Sequence, residues 1–324
     1  MVTYIIRRLL YSIPVLFVSS FLIFTFVATT TDPLEAVKMQ PNVNRAAIAL
    51  VEKQNHLNSP IIVRYAYWVR DAFTHDFGNS ILGERPILPD MLNRLKVTLQ
   101  LIIAAEVLTL LLAIGIGVYS AVRQYSVFDY SMTTLSFLGL AIPVFWLGLI
   151  LQIIFVNIFN KWGVRIFYTS GLDNVDPGTG IHFFLQRVQH LVLPVLTLAT
   201  ISIAGYSRFM RASMLEVINA DFVRTARAKG LIERRVIFKH AFRNALIPLM
   251  TLAAIDFGTL FGGTVITETV YGLPGMGRYF IDALSYGETY EIMAWLMLTS
   301  VMVVFFNLVA DVVLGFLDPR IRLD

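Results

Sequence analysis

The chain of 324 residues contains no cysteine. Disulfides, thiol nucleophiles and thiolate metal ligands are excluded, although compartment cannot be read from that absence. Charge is scarce as well: 15% of residues are charged, well below the roughly 25% of a soluble domain. The five histidines (His56, His75, His182, His190 and His240) are scattered, and neither an HExxH nor a GxSxG run is present. An intramembrane hydrolase would want such a set. No GxxxxGK[ST] run occurs either, so the chain is not expected to hydrolyse ATP itself. There is no tandem repeat, no low-complexity run and no small-residue cleavage site after the first apolar stretch.

What the chain has is apolar residues, 56% of the total, gathered into six blocks. They are Leu9–Ala28, Val97–Val122, Tyr130–Phe159, Leu191–Ser207, Ala245–Thr267 and Ile292–Ala310. Each is near the ~20 residues that cross a bilayer core as a helix. Strict alternation is absent and the blocks are too long for barrel strands. The expected fold class is an all-α integral membrane protein with six transmembrane helices. The basic residues orient it. With the N-terminus inside, the inner segments carry Arg7, Arg8, Arg123, nine basic residues from Arg208 to Arg243, and Arg320 and Arg322. The short outer loops carry Lys161, Arg165, Arg187 and Arg278. Arg94 and Lys96 run against this choice, but they end a long outer segment, where the rule is weaker. Both termini are then cytoplasmic. The expected organisation is 1–31 for the N-terminus and first span, 32–96 for an outer helical segment, and 97–324 for the core with spans two to six.

In the outer segment, Ser59-Pro60 reads as a helix start, Ile61, Tyr65, Trp68 and Ala72 recur at helical spacing, and Gly78-Asn79 would end the helix. Gly139, Pro143 and Gly148 interrupt the third block; Pro248 and Gly258, Gly262 and Gly263 interrupt the fifth. Small residues here allow close helix packing, or alternatively line a path. Tyr271–Arg278 (YGLPGMGR) and Asp173–Gly180 (DNVDPGTG) read as compact outer turns.

Residues 208–244 are the most informative. The run from Asp221 to Pro248, DFVRTARAKGLIERRVIFKHAFRNALIP, holds seven Arg or Lys residues between apolar blocks. Asp221 can cap a helix over 222–229, and Gly230 suits the left-handed residue that ends it. A second helix runs from Glu233 toward the fifth span. Arg235, Lys239 and Arg243 recur every four residues. Topology and attraction to anionic membrane lipid account for the charge, at ~1 kcal/mol per basic residue, but not for the helix–Gly–helix layout. No nucleic-acid partner is expected, because aromatic interleaving is missing. Docking to a cytoplasmic partner accounts for the layout.

The segment resembles the cytoplasmic loop of bacterial ABC importer permeases. Arg224-Thr225-Ala226 fall where the family's EAA trio sits, and Gly230 is its glycine. RTARAKG followed by His240-Ala241-Phe242-Arg243-Asn244-Ala245-Leu246-Ile247-Pro248 is similar to the dipeptide/oligopeptide/nickel branch. The resemblance extends to Tyr4-Ile5-Ile6-Arg7-Arg8-Leu9-Leu10, which resembles the first (B-type) permease subunit. It also covers Gly78-Asn79-Ser80, Ala141-Ile142-Pro143-Val144-Phe145-Trp146, the run TETVYGLPGMG over 267–277, and Asp318-Pro319-Arg320-Ile321-Arg322.

The resemblance implies a type I importer permease in the bacterial plasma or inner membrane. It implies a second, homologous permease, two cytoplasmic ATP-binding subunits and an extracytoplasmic substrate-binding protein. This chain would bind no cofactor, ATP and Mg being used by the ATPase subunits. Asp221, Arg224, Thr225, Ala226, Lys229, Gly230, Arg235, His240, Arg243 and Asn244 are the expected ATPase-coupling residues. Arg224, Lys229 and Arg235 would supply charge there; Thr225 and Ala226 are small enough to seat in a groove. Peptide is the expected cargo, with nickel chelates or another small solute as the alternative. A channel or secondary transporter would not need the loop pattern and would work without ATP, and a purely structural subunit would co-purify without effect on transport. Within the membrane, Glu106 and Asp256 are costly, and intramembrane carboxylates face a cavity or a partner. They are candidates for the translocation path, meeting a peptide amino group, or for a structural pair. Asp311 near the inner end of the sixth span is expected to meet basic residues.

Overall fold

The computed structural model describes residues 2–34, 38, 45–54, 56–74, 77–80, 85–174, 176 and 178–317. Among these the chain is helical throughout its regular structure. The helices are α1 (Val2–Thr30), α2 (Arg45–Gln54), α3 (Ile61–Thr74), α4 (Ile87–Val122), α5 (Val127–Ala141), α6 (Val144–Trp162), α7 (Ile181–Ile218), α8 (Asp221–Ala228), α9 (Phe242–Tyr271), α10 (Met276–Tyr286) and α11 (Thr289–Leu317). A helical turn at Glu233–Arg235 and a π-helical turn at Val236–Ala241 lead into α9. An isolated bridge between Asn79 and Pro86 is the only β pairing among the described residues.

Five helices, α1, α4, α6, α7 and α11, are long and apolar enough to cross a membrane. The sixth span is α9, bent by 45° between Gly258 and Leu260. The bend falls at the expected glycines, while Pro248 sits inside the helix without interrupting it. The third apolar block is split. Pro143 disfavours helix at the residue before it, and Ile142 is extended at φ −84°, ψ 123°. Helix α5 therefore ends at Ala141 and α6 starts afresh at Val144. The outer helix α3 forms as expected, its first turn closed by Val63 and Arg64 donating to the Pro60 carbonyl. It ends at Thr74, before Gly78-Asn79, so those two residues do not terminate it. The turn after Tyr271 is shorter than expected. Gly272 takes the left-handed cap at φ 61°, and α10 begins by Met276, a helix whose Met276, Tyr279 and Ala283 face inward.

The chain falls into two compact units, one built on Gln100–Leu273, the other on Val2–Leu99 and Pro274–Leu308. In the second unit, α3 packs on α1. Tyr65 meets the rings of Phe17, Phe21 and Phe24 edge-on at 5.1–5.9 Å, and its hydroxyl lies 2.7 Å from Ser20 Oγ. Ala283, Ile292 and Met293 complete that core. Trp295 Nε1 donates to the Met276 carbonyl at 2.7 Å, and the Met276 N–H donates to Thr98 Oγ1.

In the first unit, α7 is 38 residues long, about 57 Å at 1.5 Å per residue, so it far exceeds a bilayer core. Its last turns, from Arg208 on, run beyond the apolar block toward α8. Glycines bring the helices together: a Cβ on Gly139 would lie 3.3 Å from Ala204, and one on Gly148 3.2 Å from Val270. That is the packing reading of the small residues. Gly117 is tighter still, since its Cβ would stand 2.6 Å from Met210 Cβ and 2.7 Å from the Ser207 carbonyl. Gly117→Ala must push α4 off the α7 backbone and is expected to cost about 1–3 kcal/mol. A thermal midpoint equal to the wild type's would show that this contact is not tight.

Candidate functional site

The basic segment is a knob anchored by its apolar face. Every third or fourth residue of α8 turns inward: Val223 and Ala226 are buried against Ala113, Val118 and Ala121 of α4 and Met210 and Met214 of α7. Val236 and Ala241 of the π turn and Ala245, Leu249 and Ala253 of α9 close the same cluster. The cluster therefore ties α8 to three spans. Small residues and flexible methionines fill it, which permits close approach of four helical segments.

The outward face carries most of the expected coupling residues. Asp221, Arg224, Thr225, Lys229, Gly230, Arg235, Arg243 and Asn244 are exposed. Asp221 is not the cap: Ala220 holds that position without a side-chain bond, and Asp221 is the first helical residue. Its carboxylate still lies at the positive end of the helix and 3.6 Å from Arg224. Thr225 folds its hydroxyl back to the Asp221 carbonyl. Ala226 faces the chain's own core, so its small size serves internal packing. Gly230 ends the turn at φ +73° with nothing within 4 Å of where a Cβ would be. Arg227 bridges across that bend to Glu233 at 2.8 Å. The second helix begins at Glu233 and widens to a π turn at Val236–Ala241, with Arg235, Lys239 and Arg243 all exposed along it. His240 is half-buried there, and Asn244 Nδ2 caps its carbonyl at 2.7 Å.

The two intramembrane carboxylates differ from each other. Glu106 on α4 is 7% exposed, and neither of its oxygens has a hydrogen-bond partner among the described residues. Asp256 on α9 is half-buried and accepts a hydrogen bond from Tyr206 of α7 at 3.1 Å. Each of the three lies within electrostatic reach of the other two. Charge inside apolar blocks brought Glu106 and Asp256 to notice; Tyr206, which donates to Asp256, carried no signal. The side chain of Asp311 and the segment Asp318-Pro319-Arg320-Ile321-Arg322 lie outside the described residues, as do Arg320 and Arg322 of the topology argument.

A family described as binding-protein-dependent transport system inner membrane component matches residues 113–323, more than half the chain. The chain belongs to this family. It is similar over 99% of its length to the oligopeptide transport system permease protein AppB of Bacillus subtilis (strain 168), at 40% identity and covering all of that protein. It is likewise 33% identical to the dipeptide transport system permease protein DppB of Alkalihalophilus pseudofirmus, again over 99% of this chain and 100% of that one. The dipeptide permease DppB of Escherichia coli (strain K12) is 32% identical, with 99% of each chain covered. The chain is thus a multi-pass membrane component of a transport system, and nothing in these relatives favours a secondary transporter.

In this transport-family member, three features went unread in the sequence. Asp129, 3% exposed, takes both guanidinium arms of Arg211 at 2.7 and 2.8 Å and also accepts the Tyr125 N–H. The two are 82 positions apart, on α5 and α7. Glu268, just past the fifth apolar block, is fully buried. Phe222 and Ile232, 47% and 77% exposed, stand on the polar knob as apolar residues. The first two need tertiary contacts to be seen. The last was open to view as apolar letters in a charged run.

Proposed function

We propose that this chain is one of two permease halves of an ATP-driven importer of di- or oligopeptides. The names of its relatives support the cargo. The knob supports the drive: its polar face is exposed while Val223 and Ala226 lock it to a core shared by three spans. A push on α8 moves α4, α7 and α9 together, which is what a two-state access change requires. Residues 208–244 and both termini lie in the cytoplasm, where two ATPase subunits use ATP and Mg. A second homologous permease completes the pathway, and an external binding protein delivers the cargo. The decisive experiment reconstitutes this chain with its neighbouring transport subunits. Dipeptides, longer peptides and nickel chelates are then offered, each with the cognate binding protein. Uptake of chelates alone, or uptake without ATP, sinks the proposal.

Gly230 supplies a sharper test of the knob. Its positive φ costs an ordinary residue about 1–2 kcal/mol, whereas asparagine tolerates it. Since no neighbour crowds the site, Gly230→Asn is expected to transport nearly normally and Gly230→Val to uncouple hydrolysis from uptake while staying in the membrane. Equal activity of the two variants would mean that the backbone bend is immaterial.

The carboxylates divide by exposure. Asp256 is half-buried rather than enclosed and is the carboxylate a peptide ammonium would meet, so Asp256→Asn is expected to raise the KM for uptake severalfold. Glu106 is enclosed and unpartnered, a costly place for a charge. Glu106→Gln is expected to leave uptake intact and stability equal or higher. The reverse pattern in uptake kinetics would move the path to Glu106.

A further inference from the structure

We infer that a groove between α1, α3 and α11 holds an acyl chain of a membrane phospholipid. The cavity measures about 420 Å³ and is walled by Leu16, Phe17, Val69, Ala72, Met297 and Val301, among others. Its lining is almost wholly carbon. The hydroxyls of Ser20 and Tyr65, which also line it, lie 2.7 Å apart and hydrogen-bond to each other, and Ser20 bonds the Phe17 carbonyl as well. They ask nothing of an occupant.

Depth decides what fills it. Helix α3 meets α1 at Phe17, Phe21 and Phe24. These residues lie inside the apolar block that ends at Ala28. At 1.5 Å per residue, Phe24 is about 6 Å and Phe17 about 16 Å below that end. One leaflet of hydrocarbon is about 15 Å deep. The helix is therefore sunk into the leaflet on the side of residues 32–96, not laid on its surface. Its remaining exposed apolar residues agree: Ile62 is 69% and Phe73 85% exposed. Its polar side chains gather elsewhere, with Arg70 paired to Asp71 and stacked on Tyr67 at 4.9 Å. At that depth there is no water, and the fluid available to an apolar concavity is the acyl chain, which fills it by van der Waals contact.

The test places a benzophenone amino acid at Leu16 in the assembled transporter in its native membrane, followed by irradiation and mass spectrometry of this chain. An adduct of intact phospholipid mass is expected. Ala72→Phe, which fills the groove, should cut the yield at position 16 severalfold and leave unchanged the yield at Phe26, which is 67% exposed on α1 outside the groove. A crosslink to another polypeptide would give the groove to a partner helix and overturn the inference. So would a lipid adduct at position 16 that Ala72→Phe does not reduce, since that reports general lipid contact. Val301→Phe, which fills the groove from α11, should cut the yield at position 16 in the same way and decides the question if Ala72→Phe does not fold. None of these outcomes depends on which cargo is carried.

Discussion

Arg211→Ala is expected to destabilise the protein by about 3–5 kcal/mol, the cost of leaving a buried charge unpaired. Asp129 is the buried partner at 3% side-chain exposure, whereas Arg211 is 27% exposed. Removing the arginine therefore strands the carboxylate, with the Tyr125 N–H still on it but no cation. Removing the aspartate instead frees a guanidinium that can reach water or lipid phosphate, so Asp129→Ala should cost less. The double variant should be less damaged than Arg211→Ala alone, because no unpaired charge remains. Thermal unfolding of the three purified proteins measures all of this. Simple additivity would mean that the pair is not coupled. The stake is functional as well. Asp129 sits in the first turn of α5, where Ser126 caps the helix, and Arg211 sits near the C-terminal end of α7, shortly before α8. Loosening the pair should slacken the frame on which the knob is mounted.

Truncating exposed apolar side chains on and beside α8 is expected to have the other large effect. If ATPase subunits dock on α8, Phe222 on that helix and Ile232 in the turn after it offer exposed apolar area to bury against them, with Phe238 of the π turn, 57% exposed, farther along the chain. Aromatic anchors in protein interfaces typically cost about 2 kcal/mol or more when cut to alanine, roughly a thirtyfold loss of affinity. Phe222→Ala should show a loss of that order when purified ATPase subunit is titrated against the reconstituted permease. Ile232→Ala should show a smaller one. Exposed charge contributes less, since a solvent-screened pair such as Asp221–Arg224 is worth about 1 kcal/mol at most. Arg224→Ala is accordingly expected to weaken binding far less than Phe222→Ala at physiological salt. Unchanged affinity in Phe222→Ala would falsify the placement of the ATPase contact on this face.

Much of the architecture was legible in the letters. Span count follows from apolar length, and each of the six blocks lies in one or two observed helices. Ser59-Pro60 and the spacing after it located α3, and Gly230 announced its own backbone conformation. The errors share a cause. Asp221 looked like a cap because Asp commonly caps, but Ala220 reached that position first. The pattern from Glu233 reads as a regular helix, whereas Val236–Ala241 winds as a π turn. Helix α10 hid behind a run of glycines and a proline that reads as a turn, although Met276, Tyr279 and Ala283 have helical spacing.

The sequence by itself determined that this chain crosses the membrane repeatedly, carries a basic helix–Gly–helix loop and has two carboxylates within its apolar blocks. These are local properties: run length, φ preference and the cost of a charge in lipid act on neighbouring residues. Only the tertiary structure decided that Ala226 looks inward while Phe222 looks out, that Glu106 is enclosed while Asp256 is half-buried against Tyr206, and that Asp129 is held by Arg211. Each depends on what another helix, tens of residues away in the chain, places against it, and the folded packing alone sets that.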